Sequence, residues 1–471
     1  MVHTTAEAPV PDGIPTPRRY WAILAIAAGI TLSVLDGTIA NVALPSIAAD
    51  LHASPSTSIW IVNAYQLAIV ISLLSLSSLG DIWGYKKVYL CGLVLFAGAS
   101  TACLLSRSLF SLTLSRVFQG FGAAALASVN TTLIRLIYPR RHLGRGLGIN
   151  ALVVAVAAAG GPTIAAAILS VASWQWLFAI NIPISILALV LSARYLPANP
   201  VKVKEHRFDW SGALMNALTF GLFIFSIEGF THEVGWQILA PGILLTFVVG
   251  YFFVRQQLAR PFPLLPVDLL KIPIFSLSVC TSICSFVAQM LALVSLPFFL
   301  QHTLGMTEVE TGVLLTPWPL ATMVAAPLAG KLIERVHAGI LGGVGLGLLA
   351  VGLFLMAVFA DTASHVMIGC FMALCGAGFG LFQTPNNSIL ISSAPPARSG
   401  GASGMLGMAR LTGQTSGASL VALVFTLFAD NGTYAALYLA GGFATLAALV
   451  SFTRVSLPEP ELLRGSVKRH A

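Results

Sequence analysis

Few side chains in this 471-residue sequence can do chemistry, and the most telling of them stand inside long apolar runs. Asp36 lies in SVLDGTIANVALPSI (33–47) and is the only carboxylate set deep in such a run. Arg116 opens RVFQGFGAA (116–124) inside another. A charge in hydrocarbon costs roughly 2.5–3.5 kcal/mol on insertion scales, so by default it faces a cavity or a partner and marks a transport path. Counted from the nearer end of its run, Asp36 is about 8 residues, or roughly 12 Å, deep, and Arg116 about 7 residues, or roughly 10 Å, below the same surface. The two can meet. An acid beside an arginine, away from water, can exchange a proton: charged it holds the guanidinium, protonated it lets go. A static ion pair is the plainer reading of the same residues. Arg410 enters from the opposite surface and lies about 8 residues, or roughly 12 Å, deep.

Other chemistries find no support. An enzyme needs a clustered nucleophile, base or metal site, and no such group of His, Asp and Glu stands among the apolar runs. Neither a metal nor a cofactor is expected, and a proton gradient is the energy source that the buried acid suggests. Cys91, Cys103, Cys280, Cys284, Cys370 and Cys375 lack zinc-ligand spacing and read as buried, inert thiols. The remaining polar residues in apolar runs are chiefly amides: Asn63, Gln66, Gln119, Asn150, Gln289, Gln383 and Asn386, with Trp318 beside them. Hydrogen bonds between helices are their plain explanation. Lining a shared cavity is the functional one.

The elements that position these residues are membrane spans. The chain is 57% hydrophobic and 9% charged, with mean hydropathy +0.88, whereas an ordinary soluble domain carries about 25% charged residues. A span needs roughly 20 apolar residues, and on that rule fourteen spans are predicted, making an all-α integral membrane protein whose termini share one side. The basic residues agree with the count. All but Arg107, Arg116 and Arg410 fall in alternate loops or tails on the terminus side, and lysine and arginine favour the cytoplasm. Both termini are therefore expected there. The net charge of +8 is spread over these loops, which argues against nucleic-acid binding.

Repeated features divide the chain. Leu44-Pro45 and Leu296-Pro297 stand 252 residues apart; Asp81 and Glu334, like Arg145 and Arg398, stand 253 apart. A common offset is the trace of parallel repeats. The expected organisation is a tail over 1–19, a six-helix bundle over 20–196, a linker with two inserted helices over 197–260, a second six-helix bundle over 261–454 and a tail over 455–471. SSLGDIWGYKK (77–87) turns between spans 2 and 3, where Asp81, Gly84 and Lys86 could form a latch. GKLIERV (330–336), with Glu334 and Arg335, is its second copy. The Gly160-Gly161-Pro162 run in span 5 permits a bend, because proline removes one helical hydrogen bond.

Taken together these motifs resemble the major facilitator superfamily, and within it the fourteen-helix drug/proton antiporter branch. LDGTIANVALPSI, GDIWGYKK, RVFQG, AAAGGP and WQWLFAINIP (174–183) carry the likeness, which covers nearly the whole chain after the tail. There are departures: Tyr85 stands where the family often has arginine, and Ala157, Ala165 and Ala166 replace glycines. No further acid stands deep in the C-terminal spans, which argues against export of divalent cations. The resemblance implies two bundles around a cavity lined by spans 1, 2, 4, 5, 9, 10, 12 and 13. It implies a multi-pass protein of the bacterial cytoplasmic (inner) membrane, a monomer, exporting lipophilic compounds against protons. Asp36 and Arg116 would couple the proton. Asn63, Gln66, Gln119, Asn150, Gln289, Trp318, Gln383, Asn386 and Arg410 would line the cavity. An endogenous neutral or anionic metabolite anchored by Arg116 and Arg410 is the alternative cargo.

Overall fold

The structure, a computed structural model, describes residues 13–139, 143–198, 208–231, 235–260, 263–333, 335–359, 362–394, 399–428 and 431–457. Glu334, Arg398, most of both tails and most of the loop after span 6 lie outside the described residues. A bilayer offers no water to backbone N–H and C=O groups, so a chain this apolar satisfies them within helices. The first group is α1 (Arg18–Asp50), α2 (Pro55–Ser58), α3 (Trp60–Trp83), α4 (Tyr85–Leu104), α5 (Leu109–Ile137), α6 (Leu143–Leu169), α7 (Trp176–Ala179) and α8 (Asn181–Tyr195). A peripheral hairpin follows, α9 (Trp210–Thr231) and α10 (Trp236–Leu258). The second group is α11 (Pro273–Phe298), α12 (Glu308–Leu315), α13 (Pro317–Leu332), α14 (Ala338–Phe359), α15 (His365–Ser392), α16 (Ser399–Leu427) and α17 (Gly432–Thr453). Local signals set several starts. Ser108 and Ser111 form a capping box at α5, and Thr307 and Glu310 form one at α12.

The packing repeats. In the first group α3 and α4 both lie on α5, α1 lies on α6 and α8, and α4 on α8. In the second, α13 and α14 both lie on α15, α11 lies on α16 and α17, and α14 on α17. The α9–α10 hairpin leans on α3 and α16, and Asn216 of α9 donates to the Ile71 carbonyl of α3 at 3.0 Å.

Thirteen helices among the described residues are long and apolar enough to cross a membrane, so this is a multi-pass membrane protein. The helix missing from that set is α16. Its 29 residues are long enough, but Gly, Ser and Thr together with Arg410 and Gln414 dilute its apolar content. It packs against α3, α9, α11 and α17 instead of resting on hydropathy alone. The thiols differ from expectation: Cys103, Cys284 and Cys375 are buried, but Cys91, Cys280 and Cys370 are exposed, because they stand on outer or cavity-facing sides of helices that are apolar all round.

The two groups meet most tightly at the end of α1 away from the N-terminus. Ile39, Val42 and Ile47 of α1 share one core with Leu291 and Val294 of α11 and with Leu314 and Leu315 of α12. Ser46 of α1 donates to the Glu308 carboxylate of α12. Gln301 Nε2 donates to the Val42 carbonyl at 3.4 Å, and the hydroxyls of Thr163 and Thr316 are 2.8 Å apart. A Cβ added to Gly312 would lie 2.6 Å from the Pro162 carbonyl oxygen and 2.5 Å from Ala166 Cβ. That glycine lets α12 press onto the backbone of α6.

Candidate functional site

Helix α1 delivers Asp36 to the centre of the first group, facing α5. Arg116 of α5 donates from Nη1 to Asp36 Oδ2 at 2.5 Å. The side chains are only 1% and 2% exposed, so the pair is sealed from solvent. Gln119 stands one turn further along α5 and ties both ends together. Its Nε2 donates to Asp36 Oδ1 at 2.8 Å and to Ser100 Oγ of α4 at 3.0 Å, while its Oε1 accepts from Arg116 Nη1 at 2.7 Å. Asn181, at the first position of α8, supplies a third donor, Nδ2 to Asp36 Oδ1 at 2.8 Å. Helices α5 and α8 thus both bond the carboxylate of α1, and α4 joins the cluster through Ser100.

Arg116 is held by more than its acid. Its Nε donates to the Ile61 carbonyl of α3 at 3.1 Å. Its guanidinium carbon lies 4.1 Å from the centre of the Tyr65 ring and 5.8 Å from that of Phe178. Ring faces attract a cation, most strongly where water is excluded. The carbonyl, the ring and Gln119 Oε1 give the guanidinium partners besides its acid.

The structure brings together Asp36 and Arg116, which the sequence reading paired, and adds Gln119, which that reading placed in the cavity and which is here buried in the sealed cluster. That reading missed Asn181, Ser100 and Tyr65. Asn181 stands in WQWLFAINIP, and an amide opening an otherwise apolar helix was the available signal. The other candidates scatter. Asn63 and Gln66 of α3 are buried. Asn150 of α6 accepts from Asn130 Nδ2 of α5 at 2.9 Å. Trp318 is buried, with its backbone against Gly376. Asn386 turns away from the space between the groups: its Oδ1 accepts from Arg454 Nη1 at 2.5 Å and its Nδ2 donates to Ser282 Oγ at 2.7 Å. It is held within the second group by Arg454, an arginine that the sequence reading had counted with the C-terminal tail.

Gln289, Gln383 and Gln414 are half-buried and Arg410 is exposed. On α16, Met408 and Leu411 enter the core of the first group, and Gly413 and Gly417 press on α11. Arg410 and Gln414, four residues apart, share a face between those two contacts. On α1, Gly37 faces open space and Val34 and Thr38 are half-buried.

The turn residues take separate duties. Gly84 has φ 108°, a conformation that favours glycine, and so makes the turn from α3 to α4. Asp81 accepts from the Tyr85 hydroxyl at 2.5 Å. Lys86 donates to the carbonyls of Ala193 and Leu196 at 2.8 and 3.1 Å, closing the end of α8. Arg335 lies in the turn after α13. Helix α6 runs unbroken through Pro162. A Cβ on Gly161 would lie 2.0 Å from Thr38 Oγ1, whereas Gly160 would meet only Ile164 of its own helix.

Comparison with known proteins gives this geometry its place. Residues 26–418 match the family model described as Major Facilitator Superfamily. The chain is 62% identical to an uncharacterized transporter, YebQ, of Escherichia coli strain K12, over 95% of this chain and 98% of that one. It is 30% identical to the multidrug resistance protein Stp of Mycobacterium tuberculosis, over 85% of this chain and 75% of that one. It is equally similar, at 30%, to the riboflavin transporter RibZ of Clostridioides difficile, over 88% and 90%. Two corresponding six-span groups with a helical hairpin between them fit that match, and the chain belongs to the major facilitator superfamily, among relatives of its drug-efflux branch.

Proposed function

We propose that this protein exports lipophilic, chiefly monocationic compounds across the bacterial cytoplasmic membrane in exchange for protons, by alternating access, as a monomer with both termini in the cytoplasm. The observation that carries this reading is the sealed Asp36–Arg116 pair, in which the arginine keeps independent partners. Protonating Asp36 removes its attraction for Arg116 without leaving the guanidinium bare, since Ile61, Gln119 and Tyr65 remain. Deprotonating it restores a charge-assisted bond between α1 and α5. A proton can thereby change how α1 is held, and α1 carries part of the contact to the second group, through Ser46, Val42 and its apolar face. The likeness to Stp supports drug-like cargo. The absence of other buried acids among the described residues fits a cargo with no more than one positive charge.

Export of a neutral or anionic metabolite is the second reading. The likeness to RibZ and the exposed Arg410 favour it. Arg116 cannot serve as its anchor in this conformation, because the guanidinium is enclosed.

The test uses purified protein in proteoliposomes with an imposed pH gradient and a panel of cationic, neutral and anionic compounds. Asp36→Asn is expected to abolish gradient-driven transport while the protein still inserts and folds. The double variant Asp36→Asn/Arg116→Gln separates coupling from charge balance. It should fold well and stay uncoupled. Recovery of pH-driven uphill transport in the double variant would overturn the reading and leave Asp36 as a counter-charge only.

A further inference from the structure

Asp36 is surrounded entirely by donors. Arg116, Gln119 and Asn181 all give it N–H groups, an arrangement made for a carboxylate. A carboxylic acid in the same place needs one acceptor for its new O–H, and a buried hydroxyl without an acceptor is strongly disfavoured. Two amide oxygens belong to the cluster. Gln119 Oε1 already accepts from Arg116 and lies 3.6 Å from the Cys103 thiol. Turning that amide would also break the bond from its Nε2 to Ser100. Asn181 Oδ1 is different: it is buried and has no hydrogen-bond partner among the described residues. The amide's only side-chain bond described is the one to Asp36.

We propose that Asn181 is a positioning residue that follows the proton. Its Nδ2 donates to charged Asp36, and its amide turns by half a revolution so that Oδ1 accepts from protonated Asp36. The inference rests on the reading of Asp36 as the proton-linked acid. Amide oxygen and NH₂ are nearly equal in size, so the turn needs no repacking. The proton comes from water when the site opens and returns to water on the other side; no other bond is made or broken. Asn181 remains bonded in both states, and the first turn of α8 stays docked on α1 throughout.

The titratable groups around the acid are limited. Arg116 of α5, Tyr65 of α3 and Cys103 of α4 share its surroundings. Helix α6 carries Arg145 in its first turn, α8 carries Arg194 and Tyr195 in its last, and α11 carries only Cys280 and Cys284. Glu308 and Glu310 open α12, beside Ser46 and well along α1 from Asp36. Asn181 Oδ1 is the buried, unengaged oxygen whose own amide already bonds the acid; one turn along α8 the Ser185 hydroxyl is also buried without a partner among the described residues.

Infrared difference spectroscopy across a pH step, on the full-length protein in lipid, tests the inference. In wild-type protein containing ¹³C-labelled asparagine, an asparagine amide C=O band should shift in step with a carboxylic-acid band that Asp36→Asn removes. In Asn181→Leu the acid band should move to higher frequency, as for an acid without an acceptor, and the asparagine change should vanish. Asn181→Thr, which keeps a group able to donate and accept, should restore a lower-frequency band. An Asp36 band with no accompanying asparagine change in the wild type overturns the inference, a result independent of whether any variant folds. Absence of any band sensitive to Asp36→Asn overturns the proton-coupling reading itself.

Discussion

Two arginines are buried among the described residues, and they are held in opposite ways. Arg116 has an acid. Arg454, at the end of α17, is held by neutral oxygens: Nη1 donates to Ser278 Oγ at 3.0 Å and Asn386 Oδ1 at 2.5 Å, and Nη2 to Ser451 Oγ at 2.5 Å. It pins α17 to α11 and α15. Removing it strands several buried acceptors, each worth about 1–3 kcal/mol when left without a donor. Arg454→Ala should therefore lower the melting temperature and the yield of folded protein while leaving the pH profile of transport in place. Adding Asn386→Leu should cost little more, since the two act as one unit; fully additive losses would show that they do not. The contrast also marks what the sequence could reveal. Asp36 and Arg116 were legible because two opposite charges stood at matching depth. Asn181 and Ser100 were not, since a lone amide or hydroxyl in an apolar helix looks the same whether it bonds a neighbour or a functional acid. Arg454 stood where a cation of the C-terminal tail was expected, and so Asn386 was assigned to the cavity.

At the scale of elements, the Gly160-Gly161-Pro162 run works by contact. The two glycines are unequal: Gly161 lets α6 close on Thr38 of α1, and Gly160 meets nothing from another helix. Thr38 has little freedom to withdraw, because it is β-branched and its hydroxyl lies 2.9 Å from the Leu35 carbonyl of its own helix. Gly161→Val should consequently reduce transport sharply, on the order of tenfold for each 1.4 kcal/mol by which it parts α1 from α6. Gly160→Ala should be tolerated, and Thr38→Ala should partly rescue Gly161→Val in a transport assay. Equal defects at both glycines, without rescue, would refute the contact account and favour bending alone. The helices themselves were readable from runs of apolar residues; which of two adjacent glycines touches a neighbour depends on helix rotation, which near-uniform hydrophobicity leaves undefined. The loop motif shows the same limit. Its glycine turn was legible, but Tyr85 rather than a lysine bonds Asp81, and Lys86 instead closes α8.

At the scale of the molecule, the structure is shut between its two groups at the end of α1 away from the N-terminus. Gly312 is a close point of that closure, where α12 lies on the backbone of α6. A leucine there cannot fit against the Pro162 carbonyl and Ala166, so Gly312→Leu should move the population away from this closed arrangement. In a cysteine-free background, Val42→Cys is buried at the same closure and reports on it. Its labelling by a membrane-impermeant maleimide in intact cells should accelerate in Gly312→Leu, tenfold for each 1.4 kcal/mol of shift. Arg107→Cys, at an exposed site, should label in both backgrounds and checks that this end faces outward. An unchanged rate at Val42→Cys would mean that the closure does not depend on this glycine.

Among the described residues Asp36 is the only buried acid, and this fixes the electrical character of the proposed exchange. In the exchange proposed above, that acid would carry one proton per cycle. Trading that proton for a monocation moves no net charge across the membrane, so the membrane potential contributes nothing to the exchange. The pH difference alone then limits accumulation, at about 1.36 kcal/mol per pH unit. A neutral compound handled by the same acid would also draw on the potential, roughly 2.3 kcal/mol per 100 mV. Such a pump would lose its hold on cations in a neutral medium, where the pH difference is small, while still expelling neutral molecules.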